Sequence, residues 1–320
     1  MSRPRVVFMG TPAFAVPALE AVAEACDVTL VVTQPDRPKG RGLALAESEV
    51  ATAAARIGVR EIYKPADART AETLARVRAA APDLAAVVAF GAILPAELLA
   101  APRLGCINLH GSLLPDYRGA SPVQRALWDG RAMTGVTTMW MDEGIDTGDL
   151  ILQRCEPIRA EDDAGSLATR LANVGAPLLA ESLLAAHAGN AARAPQDRTA
   201  GSYARKLKKR DGAMDWTLDA IALWNRARAV TPWPGAFTEG AGRRLVVTRA
   251  TPIDVLEHAG EPGQVVAVDR DGVRVLCGRG VLRLERVKPE GRAEMAAADW
   301  AHGARIAPGS KMRRMEEVQS

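Results

Sequence analysis

Aromatic residues make up only 4% of the 320-residue sequence, so a core must be built from Ala, Val and Leu. Its four cysteines, Cys26, Cys106, Cys155 and Cys277, lie far apart, with neither a CxxC pair nor a Cys/His ligand spacing. That excludes a disulfide scaffold, predicts no metal site, and fits a reducing compartment. There is no run of 18 apolar residues, and residues 1–10 lack the apolar stretch of a signal peptide. These absences predict a soluble, cytoplasmic protein with no membrane partner. No long apolar edge demands a second copy, so a monomer is expected. G-x-G-x-x-G is missing too, which removes the dinucleotide fingerprint and weakens a nicotinamide dehydrogenase.

What is present is ordinary for a globular chain: 48% hydrophobic and 25% charged residues. At roughly 150 residues per domain, the length predicts two domains. The net charge of +3 is unevenly spread, with 20 Lys/Arg against 23 Asp/Glu in residues 1–200 and 21 against 15 in residues 201–320. A basic C-terminal part fits a polyanionic partner and equally a solvated basic surface.

Residues 1–158 alternate β-branched runs (5–9, 28–33, 59–63, 84–90, 106–110, 135–141, 150–157) with alanine-rich helical stretches (17–25, 46–57, 70–80, 95–101, 121–129). This is βαβ grammar and predicts an α/β fold, a Rossmann-like, mostly parallel sheet with antiparallel pairing at one edge. A long helix is expected over 164–188, and the Gly-, Asn- and Pro-containing stretch 189–201 reads as a linker. A helix over 218–229 stops at Thr231-Pro232-Trp233-Pro234-Gly235. Five short strands follow (236–238, 244–250, 263–268, 272–277, 281–287), then a helix over 295–302. That spacing predicts a small all-β, OB-like barrel.

Ligands of open α/β sheets bind beyond the carboxyl ends of the strands. The turn at Gly10-Thr11 is one such end, and reads equally as an ordinary βα connection. At a second, Asn108 and His110 share one strand face by the two-residue alternation. Two polar groups on an apolar strand are costly to bury without purpose. Ser112 is a poor acyl nucleophile, because the G-x-S-x-G elbow is absent. The third is the acidic loop 141–149, where Asp146 is the carboxylate best placed to turn inward beside His110.

Gly10-Thr11-Pro12-Ala13-Phe14, Thr33-Gln34-Pro35-Asp36-Arg37-Pro38, the run from Asn108 through Pro115, and the run from Met141 through Gly148 resemble the methionyl-tRNA formyltransferase family. The match continues through Met214-Asp215-Trp216 and Pro232-Trp233-Pro234-Gly235. The resemblance implies formyl transfer from 10-formyltetrahydrofolate, a co-substrate, to the α-amine of initiator methionyl-tRNA. It implies Asn108, His110 and Asp146 as catalytic residues and a folate site at Ser112, Leu113, Leu114 and Pro115. It also implies an inserted loop over 36–45 that meets tRNA through Arg37, Lys39 and Arg41, with Lys206, Lys208 and Lys209 as further tRNA contacts. The implied domains are a catalytic one over 1–189, a linker over 190–206 and a tRNA-binding barrel over 207–320. The sequence departs from the family pattern at Asp116, where relatives commonly carry arginine, and over 43–49, where they carry more lysine. Two other readings remain: a formyltransferase for small amines, which needs no basic second domain, and a non-catalytic RNA-binding protein, which leaves the Asn/His/Asp set without a task.

Overall fold

Seven strands zip together in the N-terminal half of the computed structural model, which describes residues 3–39, 44–253 and 260–315, with side chains for all of these except Lys39 and Ala44. They are β1 Arg5–Gly10, β2 Asp27–Val32, β5 Ile62–Tyr63, β6 Leu84–Val88, β7 Cys106–His110, β8 Met133–Trp140 and β9 Leu150–Pro157. Their order is β5-β2-β1-β6-β7-β8-β9. Pairing is parallel from β5 to β7 and antiparallel from β7 to β9. Every residue of β6 and β7 is buried, as expected for strands covered on both faces.

The helices follow the alanine-rich stretches: α1 Val16–Ala25, α2 Glu49–Arg56, α3 Ala71–Ala79, α4 Ala96–Leu99, α5 Pro122–Trp128 and α6 Ala164–His187. The α2 helix starts later than 46 because the Ser48 hydroxyl caps it, accepting from the Ala51 amide at 3.0 Å, a position serine favours. Residues just before it are used elsewhere. β3 Arg37–Lys39 pairs antiparallel with β4 Ala44–Ala46, so the expected inserted loop is based on a two-strand ladder. The expected strand over 59–63 shrinks to Ile62–Tyr63, an edge strand held by β2 alone.

The chain divides into two compact units, Met1–Pro122 with Met133–Pro157 and Ala168–Ala204, and Val123–Ala132 with Ile158–Leu167 and Arg205–Ser320. Residues 189–201, expected as a linker, therefore belong wholly to the first unit. Ala194 forms a bridge with Leu150, with amide bonds of 2.8 and 3.1 Å in the two directions.

The second unit holds α7 Ala220–Ala229 and an antiparallel path of β10 Ala236–Gly240, β11 Arg243–Ile253, β14 Val281–Pro289, β13 Gly272–Leu276 and β12 Val265–Asp269. β15 Met295–Ala296 pairs with β14 and delays the terminal helix α8 to Ala297–Ala304. The two free edges, β10 and β12, are joined by the tail. Val265 donates to the Ser310 carbonyl at 2.8 Å, and Glu239 and Arg313 exchange bonds of 2.8 and 3.0 Å. Capping both edges in this way closes the barrel and removes an exposed strand edge. Its core is built from Leu223, Val247, Val265, Val275, Leu282 and Leu284, with the Trp216 indole donating to the Thr238 hydroxyl at 3.0 Å.

Candidate active site

β7 ends where its sheet changes from parallel to antiparallel neighbours. Asn108 stands opposite Val87 on β6 and Met139 on β8, and His110 opposite Thr137. Both side chains lie on one strand face and are 8% and 6% exposed. From a distant loop Asp146 arrives beside them. Its Oδ2 is 3.6 Å from His110 Nδ1, and its Oδ1 accepts a long bond from Asn108 Nδ2 at 3.4 Å. Oδ2 also takes the Gly119 amide at 2.7 Å. So the three residues singled out from the sequence meet at one place.

His110 Nε2 lies 2.9 Å from the Tyr117 carbonyl. A carbonyl can only accept, so this nitrogen carries the hydrogen and donates. Nδ1 is left facing Asp146. With a second hydrogen on Nδ1, the ring bridges carbonyl and carboxylate; without one, two acceptors confront each other. The backbone around the cluster is strained, because Tyr117 and Asp146 have φ of 61° and 54°. Non-glycine residues in that region persist only when their surroundings hold them. The loop closes tightly behind Asp146, where a Cβ on Gly148 would sit 1.9 Å from the Trp140 carbonyl oxygen.

The stretch Ser112 to Pro115 turns directly after β7. Ser112 is fully buried and Leu114 nearly so, while Leu113 and Pro115 are half-buried. The Ser112 hydroxyl donates to the Asp116 carbonyl at 2.6 Å, so the side chain serves the turn and has no role as a nucleophile. Thr137 Oγ1 donates to the Ser112 carbonyl at 2.7 Å and accepts from the Leu114 amide at 3.1 Å. Gln153 Nε2 adds a bond to the Leu114 carbonyl at 2.8 Å. With these backbone groups bonded inside the protein, what the turn leaves open is the half-buried flanks of Leu113 and Pro115.

Sequence reasoning missed the residues that hold this end of the sheet. Thr137 was detectable, since a polar residue on an apolar strand is the same signal that marked Asn108 and His110. Arg118 and Gln196 carried no such signal. Gln196 sits in a polar stretch that reads as loop, yet it is only 9% exposed. Its amide donates to the carbonyls of Asp146 and Gly148 at 2.9 and 2.8 Å, and its oxygen accepts from Arg118 Nε and Nη2 at 3.1 and 3.0 Å. Nearby, Asp197 is held below the usual carboxylate range by bonds from the Thr199 hydroxyl and amide, with the Arg118 charge adding to them. Gly201 passes beneath Pro115 so closely that a Cβ would lie 2.0 Å from its carbonyl oxygen. With φ at +89°, that position also favours glycine.

The Gly10-Thr11 turn is tied to the next loop, Thr11 Oγ1 donating to the Phe90 carbonyl at 3.0 Å. Arg37 is exposed and bonds Gln34 Oε1 at 2.9 Å. Lys39 lies in β3 with its side chain outside the described residues, and Arg41 lies outside them altogether. Lys206, Lys208 and Lys209 are exposed. None of the three forms an ion pair among the described residues, whereas neighbouring Arg205 grips Asp211 at 2.7 Å. That bond and burial act oppositely on Asp211, and the bond prevails, holding its carboxyl below the usual range. Among the described residues, no group of three or more His, Cys, Asp or Glu is placed to hold a metal ion.

Residues 4–183 match the formyl transferase family model and residues 206–305 match the formyl transferase C-terminal domain. A methionyl-tRNA formyltransferase of Geobacter sulfurreducens is 43% identical over 316 residues, 98% of each chain. One of Myxococcus xanthus is 44% identical over 311 residues, 97% of this chain and 98% of that one. Among solved structures, HypX of Aquifex aeolicus with tetrahydrofolic acid superposes with a TM-score of 0.63 at 17% identity, over 99% of this chain and 51% of its own. An N-formyltransferase of Helicobacter canadensis, with folinic acid and dTDP-3-aminofucose, gives 0.64 at 17%, over 89% of this chain and 99% of its own. At such identities these two speak for the fold alone. On the two family matches and the full-length relatives, the chain belongs to the formyl transferase family.

Proposed function

We propose that the chain transfers the formyl group of 10-formyltetrahydrofolate to the α-amine of methionine on initiator methionyl-tRNA, acting as a cytoplasmic monomer. The observation that carries this reading is the meeting of Asn108, His110 and Asp146 at the end of β7, in a chain 43% identical over its length to a methionyl-tRNA formyltransferase. A single chain supplies all three groups. No described helix is long and apolar enough to cross a membrane.

A free α-amino group has a pKa of about 7.7–8.0, and an adjacent ester lowers it, so a neutral nucleophile is available near pH 7. The amine nitrogen attacks the formyl carbon, and the carbonyl electrons move onto oxygen. Asn108 retains a second amide hydrogen for that oxygen, and His110 shares with it the Nδ1–H that faces Asp146 in the free chain. Loss of one such donor typically costs about 10² to 10³ in rate. Asp146 takes up the surplus amine proton, which then passes to the folate nitrogen as the carbon–nitrogen bond to the donor breaks. The turn Ser112, Leu113, Leu114 and Pro115 holds the donor against the flanks of Leu113 and Pro115.

The acceptor is large, so much of the rate comes from holding amine and formyl carbon together. Lys206, Lys208 and Lys209 grip the tRNA backbone, which positions the end without reading sequence. The 36–45 insertion, with Arg37, Lys39 and Arg41, addresses the acceptor end. The test is formyl transfer by the purified chain to initiator methionyl-tRNA, glycinamide ribonucleotide and a nucleotide-linked amino sugar. The expected product is formylmethionyl-tRNA, and preferential formylation of either small amine overturns the proposal.

A further inference from the structure

The Gln196 amide spends its whole hydrogen-bonding capacity inside the protein. Two N–H groups reach the carbonyls of Asp146 and Gly148 at 2.9 and 2.8 Å. Both lone pairs of Oε1 receive Arg118, through Nε at 3.1 Å and Nη2 at 3.0 Å. A buried amide satisfied on all four counts has one favourable orientation. Arg118 is itself anchored, donating to the carbonyls of Asp197 and Ala200 at 3.0 and 3.3 Å. Its main chain receives the Ala204 amide at 2.6 Å and donates to Ser202 at 2.9 Å. One residue further on, the Gly119 amide holds Asp146 Oδ2 at 2.7 Å.

Asp146 is thus gripped twice, at its carboxylate by Gly119 and at its own carbonyl by Gln196. Both grips trace back to Arg118 and its neighbours. The grip matters because Asp146 has φ of 54°, a left-handed conformation that aspartate tolerates better than most residues but that still lies above its ordinary backbone minimum. Released, the residue relaxes toward ordinary φ and swings its carboxylate away from His110 Nδ1. We infer that Gln196, oriented by Arg118, is a positioning residue that sets the Asp146 carboxylate against His110. This rests on the formyl-transfer reading above and places support for the catalytic set in a segment the sequence presents as a linker.

Gln196→Glu is the discriminating variant. Its carboxylate keeps Arg118, as an ion pair, but sets an acceptor against two carbonyls in place of two donors. The expected result is a kcat for formyl transfer lower by about 10²-fold, the scale of a roughly 1 Å misplacement. KM for donor and acceptor stays within about twofold of wild type, on the same positioning argument. The imidazole nitrogen and proton NMR signals of His110 in the free chain, at one fixed pH, shift from their wild-type positions. A wild-type kcat, or a loss of kcat with His110 signals unmoved, overturns the inference. The spectroscopic readout needs no turnover. An inactive wild type would defeat the formyl-transfer reading, while the His110 signals would still decide whether Gln196 sets Asp146. Should Gln196→Glu not fold, Arg118→Lys keeps the charge but loses the forked contact on Oε1. It must then move the His110 signals from their wild-type positions, and unmoved signals again overturn the inference.

Discussion

At the carboxyl end of β7 and along β8, the first unit buries Asn108, His110, Ser112, Thr134, Thr137 and Thr138. Among the described strand residues of the second unit, only Thr238 is a polar side chain buried to that degree. The barrel pairs charges at and just beneath its surface, exposed Arg249 and half-buried Arg283 on Glu285 and Arg274 on Asp269. Exposed pairs contribute about 0–1 kcal/mol each, so the barrel stands chiefly on its apolar core. Burying a polar group costs unless a partner compensates it, and the first unit carries much of that cost at the end of β7 and along β8, with Thr33, Ser48, Thr73 and Ser182 buried elsewhere. The contrast teaches where chemistry and where adhesion are built. On the reading proposed above, the polar cluster in an apolar sheet is the reacting centre, and exposed lysines without an ion pair among the described residues are the surface for a charged partner.

The binding half of this division is tested by changing Lys206, Lys208 and Lys209 together to Ala. Affinity for initiator methionyl-tRNA should fall between tenfold and about 10²-fold at 0.1 M salt, and the log–log salt slope should flatten by about 2 to 3. Saturated kcat should stay at the wild-type level. Filter binding across a salt series, with single-turnover rates, measures both, and a lost kcat with an unchanged slope would break the comparison by placing these lysines in the chemistry. A smaller effect tests how alike the two cores are despite their different tasks. Burial pushes the Cys106 thiol in the first unit up to about 12. Cys277 in the second reaches about 12 for the same leading reason. A raised folded value means the unfolded chain loses its proton first, so this contribution is complete below pH 9 and declines as pH rises toward 12. Urea unfolding at pH 8 and pH 10 should therefore show wild type losing about 1 kcal/mol more than Cys106→Ala between the two. Equal losses would mean that Cys106 is not buried as described.

Much of the fold could be read before any coordinates. The bounds of β7 and β9 match the expected ones, because β-branched and apolar runs end there in turn residues. Polar residues on the β7 face led to Asn108 and His110, and the expected inward turn of Asp146 agrees with its position. Most of the misreadings share a cause: long-range pairing overrode local pattern. Met295 and Ala296 were expected in a helix and instead pair with β14. The run 84–90 stops as a strand at Val88, since Ala89 takes φ of 46°. Residues 189–201 have linker composition, and composition cannot show that Gln196 finds two buried carbonyls and an arginine. Ser112 and Leu114 lie within a matching motif but are turned inward. A motif specifies which residues are present and leaves open which of them face a ligand.

The central claim is that the polar cluster at the end of β7 performs formyl transfer, and Asn108→Ala tests it most directly. Single-turnover transfer from 10-formyltetrahydrofolate to initiator methionyl-tRNA should slow by about 10² to 10³, while donor affinity and thermal stability remain those of wild type. A rate within twofold of wild type, or a loss that simply follows weakened donor binding, would contradict the account.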